Sequence, residues 1–173
     1  MCEKVILVNQ QDKEIGSEDK LRAHELGALH RAFSIFIFNF NGEMLLQKRA
    51  LHKYHAKGLW SNSCCGHPNP GEDLYIAASK RLKFEMGLTC NLNKIFNFVY
   101  KIKLKEDNLY EHEFDHVFVG VSNAQPVINP DEVASYQFVS PEELNIHMEK
   151  TPALFTPWFI LMAHRVLKEH GLG

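Results

Sequence analysis

Directly behind Trp60-Ser61-Asn62-Ser63, the run Cys64-Cys65-Gly66-His67-Pro68-Asn69-Pro70-Gly71 concentrates thiols, an imidazole and turn-forming residues. A turn held between rigid elements can aim such groups at a ligand. The alternative is a surface loop carrying two structural cysteines, and the choice depends on partners elsewhere in the chain. Glu111 and Glu113 are the first of these. On a strand, residues two apart point the same way, so both carboxylates share a face and His112 and Phe114 take the other. Parallel carboxylates repel unless a proton or cation lies between them.

His24 and His30 add two more imidazoles. With His67, Glu111 and Glu113 they would form a nitrogen and oxygen site suited to manganese, zinc or magnesium rather than to copper or iron–sulfur chemistry. Spacing leaves this set open, because His52, His55, His112 and His116 are equally available. A basic cluster of Arg49, His52 and Lys53, with Arg31, Lys57 and Arg81 elsewhere, offers charge-assisted hydrogen bonds to a phosphate or diphosphate, or is ordinary surface charge. There is no Walker loop and no dinucleotide fingerprint.

These groups need a scaffold. A chain of 173 residues, 45% of them hydrophobic and twelve of them phenylalanine, has enough material for one domain with a real core. The formal charge of -2 gives no general attraction to nucleic acid or anionic lipid. No apolar run approaches the roughly 20 residues that cross a bilayer. Met1 to Asn9 lacks the features of a secretory signal, and Cys2, Cys64, Cys65 and Cys90 form no obvious disulfide frame, so reduced cysteines in the cytoplasm are expected.

Strands are expected at Val5–Val8, Ser34–Asn39, Glu43–Lys48, Phe96–Ile102, Tyr110–Gly120 and Tyr136–Val139. The second is apolar on both faces and belongs in the middle of a sheet. Asn41-Gly42 marks a tight turn and Asn9–Asp19 a hairpin or loop. Helices are expected over Lys20–Leu29, over Glu72–Met86 with Gly87 as its stop, after the Ser140 cap with Pro141, and in the same manner after Thr156-Pro157. Strands interspersed with a few helices make one mixed α/β domain.

Gly66 to Leu88 resembles the Nudix box: Gly66, Glu72, Leu82, Glu85, Gly87 and Leu88 match, while Lys80 replaces its arginine. Arg81 and Phe84 stand where two of its three clustered glutamates belong. That leaves too little negative charge for the usual hydrolytic metal arrangement. Nearly the whole chain resembles type I isopentenyl-diphosphate Δ-isomerase. The likeness is carried by Leu29-His30-Arg31-Ala32-Phe33-Ser34, Leu46-Gln47-Lys48-Arg49-Ala50, Trp60 to Pro68, Arg81 through Gly87, Glu111-His112-Glu113 and Thr156-Pro157-Trp158.

The resemblance implies an α/β Nudix-like fold over residues 1–173, a mixed β-sheet packed between helices with additional N-terminal elements. It implies interconversion of isopentenyl and dimethylallyl diphosphate, with Cys65 and Glu113 as proton-transfer groups on opposite faces of the substrate and Tyr100 assisting the glutamate. By the same likeness His24, His30, His67, Glu111 and Glu113 hold a divalent metal (Mn2+, Mg2+ or Zn2+), and Glu85 holds a second, Mg2+, shared with the diphosphate. Lys20, Arg49, Lys53 and Arg81 match the diphosphate-contacting residues, and Trp158 the ring that faces the cationic intermediate. Cys64 is expected to be structural, His55 and Lys57 have no implied role, and the partner is a small diphosphate bound by a cytoplasmic monomer. Two rival readings are a diphosphohydrolase using Glu72 and Glu85, and a Nudix-like binding module.

Overall fold

The computed structural model of the chain describes residues 3–53, 55–104 and 108–170; Cys2 lies outside them. The strands are β1 (Lys4–Val8), β2 (Glu14–Asp19), β3 (His30–Phe38), β4 (Met44–Arg49), β5 (Trp60–Ser61), β6 (Cys64–Gly66), β7 (Leu92–Leu104), β8 (Leu109–Val121) and β9 (Val133–Val139). The helices are α1 (Lys20–Leu26), α2 (Leu74–Met86), α3 (Pro141–Lys150) and α4 (Pro157–Glu169). A 3-10 turn, Pro152–Leu154, precedes α4.

β3 is the axis, as its two-sided apolar sequence requires. β8 runs parallel to it along its whole length, from His30 opposite Glu113 to Phe38 opposite Val121. Its other edge is shared in turn by β1 at His30, β6 at Phe33 to Ile35 and β4 at Ile37 and Phe38. β7 extends the sheet beyond β8, β9 extends it beyond β4, and β5 follows β3 along the other edge of β4. β1 and β2 form an N-terminal hairpin, one of the two alternatives read for Asn9–Asp19.

Alternation along β3 divides the apolar residues between two layers. Phe33, Ile35 and Ile37 join Ala77, Ala78, Leu82 and Met86 of α2, whereas Phe36 and Phe38 join Trp158, Phe159, Met162, Ala163 and Val166 of α4. The three β3 phenylalanines are fully buried; each contributes about 1.5–3 kcal/mol by leaving water. The sheet thus lies between helices, as expected.

Three departures from the sequence expectation bear on the site. The stretch expected as a turn contains β5 and β6, so Cys65 stands on a strand, opposite Ser34. Side chains bridge the place where β3 exchanges β6 for β4. The Ser63 hydroxyl accepts from Ile37 N at 2.8 Å and donates to Leu45 O at 2.7 Å, and Asn62 Nδ2 donates to Ile35 O and Cys64 O. Second, α2 starts at Leu74 with Asp73 as its cap rather than at Glu72. Third, Ser140 forms the expected cap of α3, a full capping box, but the Thr156 side chain does not cap α4. Its hydroxyl meets that of Ser61 at 2.9 Å instead.

Gly66 admits no side chain. A Cβ there would lie 2.8 Å from Phe33 Cζ and 3.3 Å from Arg81 Cγ. Overpacking of this kind costs about 1–3 kcal/mol. Gly66→Ala is therefore expected to lower the melting temperature, and Phe33→Leu in the same chain to recover part of the loss. An unchanged thermal transition in the single variant would show that β6 can move away from β3.

Candidate active site

The face of β8 that carries Glu111, Glu113 and Asp115 is buried, with exposures of 3%, 7% and 0%. Burying three carboxylates on one strand face is unfavourable unless each is compensated. Glu113 has the fullest set of partners. His67 Nε2 lies 2.9 Å and His30 Nε2 3.6 Å from its Oε1, and Tyr100 donates to its Oε2 at 2.6 Å. Burial alone would raise its pKa, but the hydrogen bonds from His30 and His67 outweigh burial and hold it well below the usual carboxylate range. Asp115 is driven the other way, by burial and then by the Glu113 charge, and accepts the Ser34 hydroxyl at 2.8 Å.

Glu111 faces His24 Nε2 at 3.2 Å through Oε2. Each helix or strand that carries a histidine also fixes its tautomer. His24 Nδ1 points at Lys20 O, one turn back along α1, at 2.6 Å, and His30 Nδ1 points at Ala28 O at 2.9 Å. With N–H groups directed at those carbonyls, each ring's Nε2 is the nitrogen that faces a carboxylate, at 3.2 Å for His24 and 3.6 Å for His30. A cation placed there would take both Nε2 atoms and the carboxylate oxygens as ligands, and anchoring a ligand's second ring nitrogen in this way is typical of metal-binding histidines. One ring nitrogen from each of His24, His30 and His67 and a carboxylate oxygen of Glu113 all lie within 4.8 Å of one another. These residues fit a divalent cation.

A second group within the same span, His24, His55 and Glu111, brings His55, to which the sequence reading gave no role, beside a carboxylate of the site. Its side chain is 6% exposed, and Nε2 is 3.1 Å from Glu111 Oε1. Burial, and then the Arg49 charge, push its pKa down to about 2. Only a buried position distinguishes His55 from His52, which is exposed at 2.8 Å from Asp131 O, so local sequence carried no signal for it.

Cys65 enters the same cavity from β6. Its thiol donates to Asn62 Oδ1 at 3.2 Å and lies 4.0 Å from Ser34 Oγ. Burial, then the Asp115 and Glu85 charges, push the thiol up to about 12, so it is protonated at neutral pH. Cys64 points to the opposite face, into the core between β3 and α2, in keeping with a structural role. Cys65, Tyr100, Glu111, Glu113, Glu85 and Trp158 line one pocket with Lys20, Arg49, Lys53 and Arg81.

The four cations form a wall in which each is held by an acid or an aromatic ring. Lys20 pairs with Glu3 at 3.0 Å, and Lys53 pairs with Glu132. Arg81 bonds Glu85 at 2.6 Å and Glu132 at 2.9 Å. The Arg49 guanidinium lies 5.4 Å from the Trp158 ring centroid and donates to His55 O at 3.2 Å. Of the other basic residues read from sequence, Arg31 is tied to Asp12 at 2.7 Å, away from the pocket. Glu3, Gln47 and Glu132 were not recognisable as parts of this wall, since their partners in it lie far from them in sequence. Gln47 holds Glu85 Oε2 at 2.8 Å. Glu72 lies outside the pocket, bonded to Asn69 and Lys80, which removes a carboxylate the hydrolase reading needs.

A model of the NUDIX domain matches residues 28–159. Isopentenyl-diphosphate Delta-isomerase 2 of Aromatoleum aromaticum is 46% identical over 173 residues, covering 100% of this chain and 91% of that protein. Isopentenyl-diphosphate Delta-isomerase of Pectobacterium atrosepticum is 48% identical over 94% of this chain and 90% of its own length. Among solved structures, DR0079 from Deinococcus radiodurans superposes with a TM-score of 0.71 at 19% identity, covering 86% of this chain and 90% of its own. The MutT protein from Methanosarcina mazei Go1 gives a TM-score of 0.67 at 20% identity, with 82% and 95% covered. At these identities the two structures speak to the fold alone.

Two outcomes test the geometry. His30→Ala is expected to strip the purified protein of most of its divalent metal, measured by elemental analysis; full metal content would remove His30 from the ligand set. Ser61→Ala would strand the buried Trp158 indole N–H, which donates to Ser61 Oγ at 3.1 Å, together with the Thr156 hydroxyl. Unsatisfied buried groups cost about 1–3 kcal/mol each. A clear drop in melting temperature is expected, and its absence would mean that the indole and hydroxyl find other partners.

Proposed function

Since the chain belongs to the isopentenyl-diphosphate Δ-isomerase family of the NUDIX fold, we infer that it interconverts isopentenyl diphosphate and dimethylallyl diphosphate, with Cys65 and Glu113 transferring the protons. The observation that carries this assignment is a single pocket that joins the Cys65 thiol from β6, the Glu113 carboxylate from β8 and a cationic wall. β6 and β8 flank opposite edges of β3, which supports the reading that the two groups act on a bound molecule from different sides.

The chemistry follows from what the substrate lacks. An unactivated alkene is a very weak base, so the proton donor must be held in position and kept from water. In the forward direction the terminal alkene carbon takes up a proton, the adjacent carbon becomes a tertiary cation, and a proton leaves the carbon nearer the diphosphate. One proton enters, one departs and the double bond moves. Cys65 and Glu113 exchange the parts of donor and acceptor between the two directions. Tyr100, donating to Glu113 Oε2, orients the carboxylate and restrains its protonation. A bound divalent ion would neutralise the buried carboxylates and tether Glu113.

Arg49, Lys53, Arg81 and Lys20 hold the diphosphate, so remote binding energy fixes the five-carbon tail between thiol and carboxylate. Glu85, steadied by Arg81 and Gln47, would hold a Mg2+ ion together with the diphosphate. Trp158 turns its ring to the cation, a contact of about 0.5–2 kcal/mol that offers no nucleophile to trap it. The reading includes one domain over residues 1–173, acting as a cytoplasmic monomer on a small diphosphate. No described helix is long and apolar enough to cross a membrane.

Cys65→Ala is expected to abolish isomerisation nearly completely with metal content unchanged, and Cys64→Ala to retain most activity. Conversion of isopentenyl diphosphate in deuterated water, followed by mass spectrometry, should place label in dimethylallyl diphosphate. Near-wild-type turnover in Cys65→Ala would exclude the thiol from the mechanism, and release of inorganic phosphate or diphosphate in place of labelled product would favour hydrolysis.

A further inference from the structure

We propose that His55 is a sixth protein group of the metal centre, a positioning residue that donates from Nε2 to Glu111 Oε1 and so reserves Oε2 for the ion. This rests on reading the His24, His30, His67, Glu111 and Glu113 cluster as that centre. His24 directs Nδ1 at Lys20 O, so a single nitrogen, Nε2, is available for a metal. It therefore serves one ion, although it belongs to both groups of potential ligands. The two groups are one centre seen from two sides, not two sites.

Glu111 joins them. Its Oε2 lies 3.2 Å from His24 Nε2, and its Oε1 lies 3.1 Å from His55 Nε2. With Glu111 only 3% exposed, water has little access to its carboxylate. A ligating carboxylate is held by hydrogen bonds to its second oxygen, and losing such support typically costs about 10–100-fold in metal affinity.

His55 is itself fixed from two directions. Its ring meets Trp158 edge to face, with centroids 5.7 Å apart, and its carbonyl accepts from Arg49 Nη2 at 3.2 Å. Arg49 in turn lies over Trp158. The turn after β4 thus ties a metal-facing carboxylate to a residue of the cationic wall.

The test is Mn2+ affinity, measured from the electron paramagnetic resonance signal of free Mn2+ during titration, with thermal unfolding as the check on folding. His55→Ala should bind Mn2+ about 10–100-fold more weakly. His55→Gln, whose amide N–H can donate to Oε1, should recover most of that loss. With histidine nitrogens labelled by 15N, the Mn2+-loaded wild type and alanine variant should show the same number of directly coordinated nitrogens. Wild-type affinity in the alanine variant would overturn the proposal, as would a glutamine variant that binds no better than alanine. Loss of one coordinated nitrogen would also overturn it, by making His55 a ligand. If the alanine variant fails to fold, near-wild-type Mn2+ affinity in His55→Gln supports the proposal and a tenfold loss there defeats it. An active wild type with unaffected variants sinks this inference alone, whereas a wild type that binds no Mn2+ sinks the metal-centre reading with it.

Discussion

Three acidic side chains on the buried face of β8 set the terms for the surrounding structure. Two charges about 7 Å apart repel by roughly 2 kcal/mol at an effective dielectric constant of 20, and each also loses its hydration. The chain supplies a different compensation for each. Glu113 is surrounded by His30, His67 and Tyr100 and stays ionised, whereas Asp115 is driven toward its neutral form beside Ser34. Glu111 faces imidazoles from α1 and from the turn after β4. Those partners come from widely separated parts of the chain, so the site exists only once the sheet and α1 have assembled.

Much of this was legible in the sequence, for identifiable reasons. The two-residue period of β8 puts Glu111 and Glu113 on one face without any knowledge of the fold. The apolar run of β3 announces a central strand, and Gly27 and Gly87 end their helices in the left-handed conformation their residue type permits. The strand that carries Cys65 was not legible, because Ser, Asn, Cys and Gly do not read as β-formers. It pairs because Asn62 and Ser63 supply hydrogen bonds where the backbone ladder is interrupted. His55 and Asp115 were missed for a similar reason: burial makes them matter, and burial arises from contacts distant in sequence.

The altered Nudix box follows the same logic. Its helix, its glycines, Glu72 and one of the three clustered glutamates remain, and α2 continues to pack against β3. Arg81 occupies a position where the box would hold a carboxylate, and it binds both Glu85 and Glu132. Phe84, at the other changed position, is 55% exposed and lies beside the Arg81 guanidinium. An arginine at that position makes the wall mixed in charge, while the fold that presents it is retained.

The alternation of β6 has a chemical consequence for reagents foreign to the cell. Neighbouring sulfurs are directed to opposite sides of the sheet, Cys64 sealed with 0% exposure beneath α2 and Cys65 lining the cavity. An electrophilic warhead carried on an anionic headgroup would meet one of them and not its neighbour. The fold has thereby made a doublet of identical residues into a single covalent handle.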